Sequence, residues 1–396
     1  MEYLTAAETA EKWDVTIRQV QRLLVANRIQ GAKKYQRLWL IPSDADKPGD
    51  PRLEKKQPPE NSLQSDFAYV VSAVNIFSPR NNPDSVLNTI SDKRLRIMSE
   101  ASFAYMRGNF EQVVECYKQI EGDDAIRLYY SGLAIVTAMS TGDYTFYTET
   151  ETFLKNIIGA NISDEITAYA ESSLSLAYLG AIAPNMVHDW LKKGDFSALP
   201  PNVMPDTAFK RAKYLQCIGK YEELIIIAQT SLAFFDSPQE LSIPGIYLRL
   251  LCAFAYFATD RIEEAKSWLL DVMDITLPHG LITPFVEVIT QFGSLLEQCI
   301  VQKYPEYYDA IVCQAKRTLG NWVSFHNRFT KDNVFSMLSL RDTQIALLVG
   351  RGVPYKKIAE QFHISVGTLN NQVQVIYDTL LITKKPRRQE LAKYIF

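Results

Sequence analysis

The sequence predicts a mainly α chain: a helical-repeat solenoid, preceded by a winged helix-turn-helix and followed by a four-helix module built on a second helix-turn-helix. Three observations carry that prediction. Helix-start signals separated by very short connections stand at both ends, turn signals recur at near-regular intervals between them, and charge is segregated along the chain. Residues 1–42 hold seven Lys/Arg against four Asp/Glu, residues 337–396 hold nine against four, and residues 43–336 hold 26 against 37. Two basic ends flank an acidic body, so a polyanion would be drawn to the ends. With 47% hydrophobic and 22% charged residues the composition is that of globular domains and excludes general disorder.

In the first segment, residues 1–48, Thr5-Ala6-Ala7-Glu8 and Thr16-Ile17-Arg18-Gln19 each place a hydroxyl at a helix cap and an acid or amide three residues on. They predict helices over 5–13 and 17–27. The connection Trp13-Asp14-Val15-Thr16 is short enough to force a sharp crossing. Val20, Leu23 and Leu24 fall on the core side of the second helix, and Arg18, Gln21 and Arg22 share the opposite face. After a turn at Gly31, alternation through Lys33, Lys34, Arg37, Trp39 and Ile41 predicts a small β-wing.

Over these 48 residues the chain resembles the winged helix-turn-helix of the MerR and excisionase type. The matching elements are Tyr3-Leu4-Thr5, Glu8-Thr9-Ala10, Arg18 to Leu23, Arg28-Ile29, Gly31-Ala32, Arg37, Trp39 and Ile41-Pro42. The resemblance implies that the second helix enters the major groove of double-stranded DNA and that the wing touches backbone or minor groove. It implies DNA contact for Arg18, Gln19, Arg22, Lys33, Lys34 and Arg37, and the shared helix face adds Gln21. Arginine and glutamine suit this task because their forked donors match guanine and adenine edges.

Residues 49–66 form the second segment, a flexible linker whose Pro-rich polar run Lys55-Lys56-Gln57-Pro58-Pro59-Glu60 has no apolar face to bury. The third, 67–335, is helical throughout. Turn signals recur at Arg107-Gly108-Asn109, Thr141-Gly142-Asp143, Ile218-Gly219-Lys220 and Thr259-Asp260-Arg261. Counting Gly180 as a further turn makes every interval 34 to 40 residues. Helix pairs at that period resemble tetratricopeptide repeats, each pair burying its apolar face on its neighbours. Tyr105, Phe110, Tyr117, Tyr178, Tyr214, Tyr221, Tyr256 and Trp268 supply the packing. The stretch from Glu263 to Phe285 also resembles the repeat region of the large LuxR-type activators related to the maltose-regulon activator. Those activators carry an ATPase, whereas here no GxxxxGK[ST] phosphate loop occurs: Gly219-Lys220 runs into Tyr221.

The fourth segment is 336–396. Ser339-Leu340-Arg341-Asp342 is a start signal, Ile345, Leu347, Leu348 and Val349 give the helix an apolar side, and Gly352 stops it. Pro354 begins a short helix in its first turn and Ser365 caps a longer one, whose buried stripe is Val366, Leu369, Val373, Ile376, Tyr377 and Leu380. This segment resembles the LuxR-family DNA-binding domain at Leu338-Ser339, Arg341, Gly352, Lys357-Ile358-Ala359, Ile364-Ser365, Gly367-Thr368, Ile376-Tyr377 and Leu380. The resemblance implies a recognition helix over 366–379, with Thr368, Asn371 and Gln372 available to DNA and Lys356 and Lys357 near its backbone. Asn370 and Gln372 depart from the lysine and histidine usual there, and the run from Lys384 to Arg388 is longer than usual. Weaker phosphate anchoring follows, so DNA binding and dimerisation both stay open for this module.

The four histidines stand apart, and no HExxH, GxSxG or ligand-spaced cluster occurs. Asp123-Asp124 and Glu263-Glu264 lie in turns, where solvated capping is their natural role. The expectation is a bacterial transcription regulator, not an enzyme, with no cofactor. Its partners are double-stranded DNA at the heads and a peptide, small-molecule or protein effector at the repeats, and homodimerisation is compatible with both heads. The alternative is a protein-protein interaction scaffold with vestigial DNA-binding ends. Five scattered cysteines, no signal-peptide pattern and no apolar run of about 18 residues point to the cytoplasm and away from a membrane.

Overall fold

Thr5 and Glu8 cap the first helix reciprocally: Thr5 N donates to Glu8 Oε2 at 2.7 Å and Glu8 N to the Thr5 hydroxyl at 3.4 Å. The computed structural model describes the chain apart from residues 1, 2, 14, 26, 27, 30, 36, 37, 44, 46, 48–61, 74–82, 84–86, 121, 236–242, 332–337, 339, 381, 384 and 396. It is mainly helical, with 21 α-helices among the described residues. The chain divides into two compact units, Met1–Ser62 and Leu63–Phe396.

In the first unit, β1 (Tyr3–Leu4) leads into α1 (Ala6–Lys12), α2 (Ile17–Val25), β2 (Lys33–Tyr35) and β3 (Leu38–Pro42). The three strands form one antiparallel sheet in the order β1-β3-β2, with Leu4 opposite Ile41 and Lys34 opposite Trp39. A second reciprocal cap starts α2, where Thr16 N donates to Gln19 Oε1 at 2.9 Å. Gly31, at φ +78°, makes the turn into β2, and a Cβ there would stand 3.0 Å from Pro42 Cγ. Ala10, Val20, Leu24, Ile29 and Ile41 close a small core of their own.

The second unit begins one residue into α3 (Ser62–Ala73), so the helix starts inside the stretch whose composition reads as a tether, and residues 49–61 of that stretch lie outside the described residues. The body continues through α4 (Lys93–Met106), α5 (Phe110–Gln119), α6 (Asp124–Tyr129), α7 (Ser131–Thr141), α8 (Tyr144–Ala160), α9 (Asp164–Gly180) and α10 (Asp189–Lys193). It then runs through α11 (Met204–Cys217), α12 (Tyr221–Phe235), α13 (Ile243–Ala258), α14 (Ile262–Thr276), α15 (Thr283–Val288), α16 (Leu295–Lys303) and α17 (Tyr308–Thr330). Short polar caps set the starts: Asp92, Asn109, Asp123, Asp143 and Ser163 each accept from a backbone amide two or three residues on.

Neighbours pack as α4 on α5, α7 on α8, α11 on α12 and α13 on α14, while α7, α9, α11 and α13 stack in succession. The array curls until α15 meets α4, and α17 lies along α7. Of the turn residues, Gly108, Gly142 and Gly219 adopt positive φ, and Asp260 does so without being glycine. Gly180 differs from its reading as a turn. It is the last residue of α9, the left-handed residue is Ile182, and glycine is needed because a Cβ would lie 2.5 Å from Trp322 Cζ3.

At Gly142 both constraints coincide, since φ is +74° and a Cβ would meet Asn321 Oδ1 at 2.8 Å, while Asn321 Nδ2 donates to Ser140 O at 2.9 Å. Gly142→Ala is expected to cost about 2 kcal/mol, combining left-handed strain with the disturbed hydrogen bond. The check is the denaturant midpoint of the full chain, and an unchanged midpoint would contradict it.

After the body come α18 (Leu340–Gly350), α19 (Tyr355–Gln361), α20 (Val366–Thr379) and α21 (Arg387–Ile395). Pro354 occupies the cap position just before α19 and not its first turn. These helices do not form an isolated core. Ile345, Leu348, Ile358 and Leu369 belong to the same buried cluster as Phe254, Phe285 and Phe292 of the body. Gln344 Nε2 donates to Ile289 O at 2.9 Å, and the Ser294 hydroxyl donates to Gln361 O.

Candidate functional site

On α2, helical spacing turns Val20 and Leu24 into the core and leaves Arg18, Gln21 and Arg22 exposed on the outward face. Gln19 is also exposed, but its amide oxygen serves the cap of α2, accepting from both the backbone and the hydroxyl of Thr16. It is therefore a positioning residue for the helix start. Lys33 and Lys34 stand exposed on β2, and Lys34 Nζ lies 5.7 Å from the centroid of the Trp39 ring. Arg37 lies outside the described residues.

In α20, Ser365 caps the helix by accepting from Thr368 N at 3.0 Å, and its hydroxyl bonds that of Thr368 at 2.8 Å. Leu369, Val373, Ile376, Tyr377 and Leu380 are buried, whereas Val366 is 42% exposed and stands outside the stripe to which its spacing assigned it. Thr368 and Asn371 face outward, and Gln372 is half-buried. No lysine or arginine occurs between Val366 and Thr379.

Lys356 is exposed, while the Lys357 ammonium is paired with Asp260 in the turn between α13 and α14. Arg388, the last residue of the run from Lys384, donates to Val349 O at 2.8 Å and Val353 O at 2.5 Å. It closes the carboxy-terminal end of α18, where helix carbonyls lack partners of their own. Ser339, the start signal of α18, lies outside the described residues.

The second unit contains a cavity of about 890 Å³, a volume within the range of small-molecule pockets. Its walls are largely aromatic and aliphatic, drawn from α4, α7, α9, α11, α13 and α17, with Thr343 and Leu347 from α18 and Arg351 from just after it. Five charged side chains line it among the described residues: Asp206, Lys210, Lys213, Glu287 and Arg351. Lys210, 2% exposed, donates to Asp206 at 2.6 Å and to the Ser172 hydroxyl at 2.9 Å. Glu287 accepts from the Tyr105 and Tyr247 hydroxyls. The Arg351 guanidinium lies 4.5 Å from the centroid of the Phe254 ring.

Burial raises the Glu287 carboxyl above the ordinary glutamate range, against the pull of the two phenols and Lys213. Burial and the neighbouring Arg351 act the opposite way on the Lys213 ammonium, holding it below the usual lysine range. The folded chain therefore keeps the Glu287 proton to higher pH than the unfolded chain, and ionisation in the folded state costs stability as pH rises past the unfolded value of 4.5. Glu287→Gln removes that cost and keeps an acceptor for both tyrosines. Its melting temperature is expected to gain on the parent's between pH 4 and pH 8, and a gap constant over that window would refute this account.

Tyr105 was legible in the sequence as a packing residue, but Lys213, Glu287 and Arg351 carry no local pattern that marks them as neighbours. One signal existed for Glu287. It is a lone acid inside the apolar helix Thr283–Val288, whose other residues are all buried.

Compared with known proteins, the chain matches no family model, no curated protein and no solved structure. Among the described residues, no helix is long and apolar enough to cross a membrane.

Proposed function

We propose that this chain is a sequence-specific, DNA-binding transcription regulator of the bacterial cytoplasm whose helical repeats sense an effector. One observation carries the reading: two helices joined by a short turn stand between the first and second strands of a three-stranded antiparallel sheet, and the second helix turns Arg18, Gln21 and Arg22 away from its core. That arrangement supports a winged helix-turn-helix of the MerR and excisionase type, with α2 in the major groove and Lys33 and Lys34 near phosphates. The helix pairs of the body suit a tetratricopeptide-like sensor, and α18 to α21 suit a LuxR-type module.

The two heads differ in what they offer DNA. The first presents arginines, whereas α20 presents Thr368 and Asn371 without a cation and Lys357 is occupied by Asp260. Cationic contacts to phosphate dominate affinity, so in this reading the amino-terminal head supplies most of the binding. Full-length protein mixed with sheared genomic DNA at low salt is expected to enrich fragments sharing a short motif. Recovery of fragments with no shared motif would reject sequence-specific binding and favour the scaffold reading.

A further inference from the structure

Glu287 is the one acid of α15 and the one residue of that helix that keeps accessible surface. It lines the cavity of the second unit, so its carboxyl is within reach of an occupant. Tyr105 from α4 and Tyr247 from α13 both donate to it. A phenol has a single proton to give, whereas a carboxylate offers about four lone-pair sites. Glu287 can therefore still accept from a ligand, while the two phenols have spent their protons inside the protein. Beside the carboxyl stands an aromatic platform. The rings of Phe209 and Tyr247, with centroids 5.2 Å apart and planes tilted by 38°, are both partly accessible and both line the cavity. Leu133 and Val136 of α7 and Trp322 of α17 extend the apolar lining.

We propose that this cavity binds an uncharged, flat aromatic compound bearing one hydroxyl or N–H, with that donor on the Glu287 carboxyl and the ring against Phe209 and Tyr247. Removing the ring from water supplies most of the affinity. The hydrogen bond selects the class, because a buried polar group left without its partner is costly. A charged relative loses its hydration on entry, and burial already keeps the Glu287 proton on to higher pH than usual, so the carboxyl returns little to an ammonium. Thr343 and Leu347 of α18 line the same cavity. An occupant that fills it thus touches the body and the carboxy-terminal module at once. Any consequence for DNA rests on the effector-sensing reading above, but the binding itself does not.

The test uses the full chain without DNA, by calorimetry and thermal melting. The probe is 2-naphthol, set against 2-methoxynaphthalene, which keeps the ring and lacks the donor, and against 2-naphthoate and 2-naphthylmethylamine, which carry charge. 2-Naphthol is expected to bind and, at about a hundredfold excess over its Kd, to raise the melting temperature by roughly 4 °C. 2-Methoxynaphthalene is expected to bind roughly tenfold more weakly, and both charged probes more weakly than 2-naphthol. Glu287→Gln, which keeps an acceptor, retains the preference for the hydroxyl, and Glu287→Met abolishes it. Val136→Trp fills the cavity and removes binding of both uncharged probes, with a native circular dichroism spectrum. The comparison of probes on the parent chain decides the matter even where a variant fails to fold. Equal affinity for 2-naphthol and its methyl ether, a charged probe binding more tightly than 2-naphthol, or no binding of 2-naphthol up to millimolar concentration would each overturn the proposal. Binding of 2-naphthol by a chain that enriches no DNA motif would defeat the regulator reading and leave this one standing.

Discussion

Replacing Arg18 and Arg22 together by alanine is expected to weaken binding of the full chain to its enriched DNA fragment by at least about thirtyfold, on the basis of roughly 1–3 kcal/mol for each base-reading arginine. The fold is not the cause of such a loss. Both side chains are exposed on α2, surface changes of this kind stay within about 0.5 kcal/mol, and alanine is the better helix former. Salt dependence separates the two roles an arginine can have. If either side chain holds a phosphate, the slope of log affinity against log salt flattens by about one for each phosphate released. If both read bases, affinity falls with the slope kept. Undiminished affinity in the double variant would remove α2 from the interface.

Asp206→Ala is expected to be the most destabilising single change in the body, at about 3 kcal/mol, because it leaves the Lys210 ammonium in the interior without its carboxylate. Lys210 is 2% exposed and among the described residues keeps the Ser172 hydroxyl and the Tyr169 ring, whose centroid lies 5.8 Å from Nζ. In a unit of this size such a loss lowers the melting temperature by roughly 4 °C. Lys210→Met removes the charge and keeps the volume, so the double variant Asp206→Ala/Lys210→Met is expected to recover to within about 1 kcal/mol of the parent. Failure of the double change to recover would show that the pair is needed for its geometry and not merely to neutralise a buried charge.

The features legible in the sequence are those decided within a few residues. A hydroxyl at a helix start reaches the backbone amide three positions on, and an acid or amide there can reach back, so the caps at Thr5, Thr16 and Ser365 follow from local spacing. The helical period likewise separates Val20 and Leu24 from Arg18 and Arg22. Glycine at 108, 142 and 219 marks real turns because the left-handed backbone there is nearly free for that residue alone. The same rule misplaced Gly180, whose reason lies 142 positions away in the ring of Trp322.

What the tertiary structure alone decided is which distant residues became neighbours. Tyr105 reaches Glu287 across 182 positions and Lys357 reaches Asp260 across 97, and no periodicity records either meeting. The successive packing of α7, α9, α11 and α13, with α15 against α4, determines which distant side chains come together. The helices and their faces were therefore written locally by capping and amphipathic spacing, whereas the cavity, its charge and its tie to α18 arose only when the accumulated packing brought the ends of the body together.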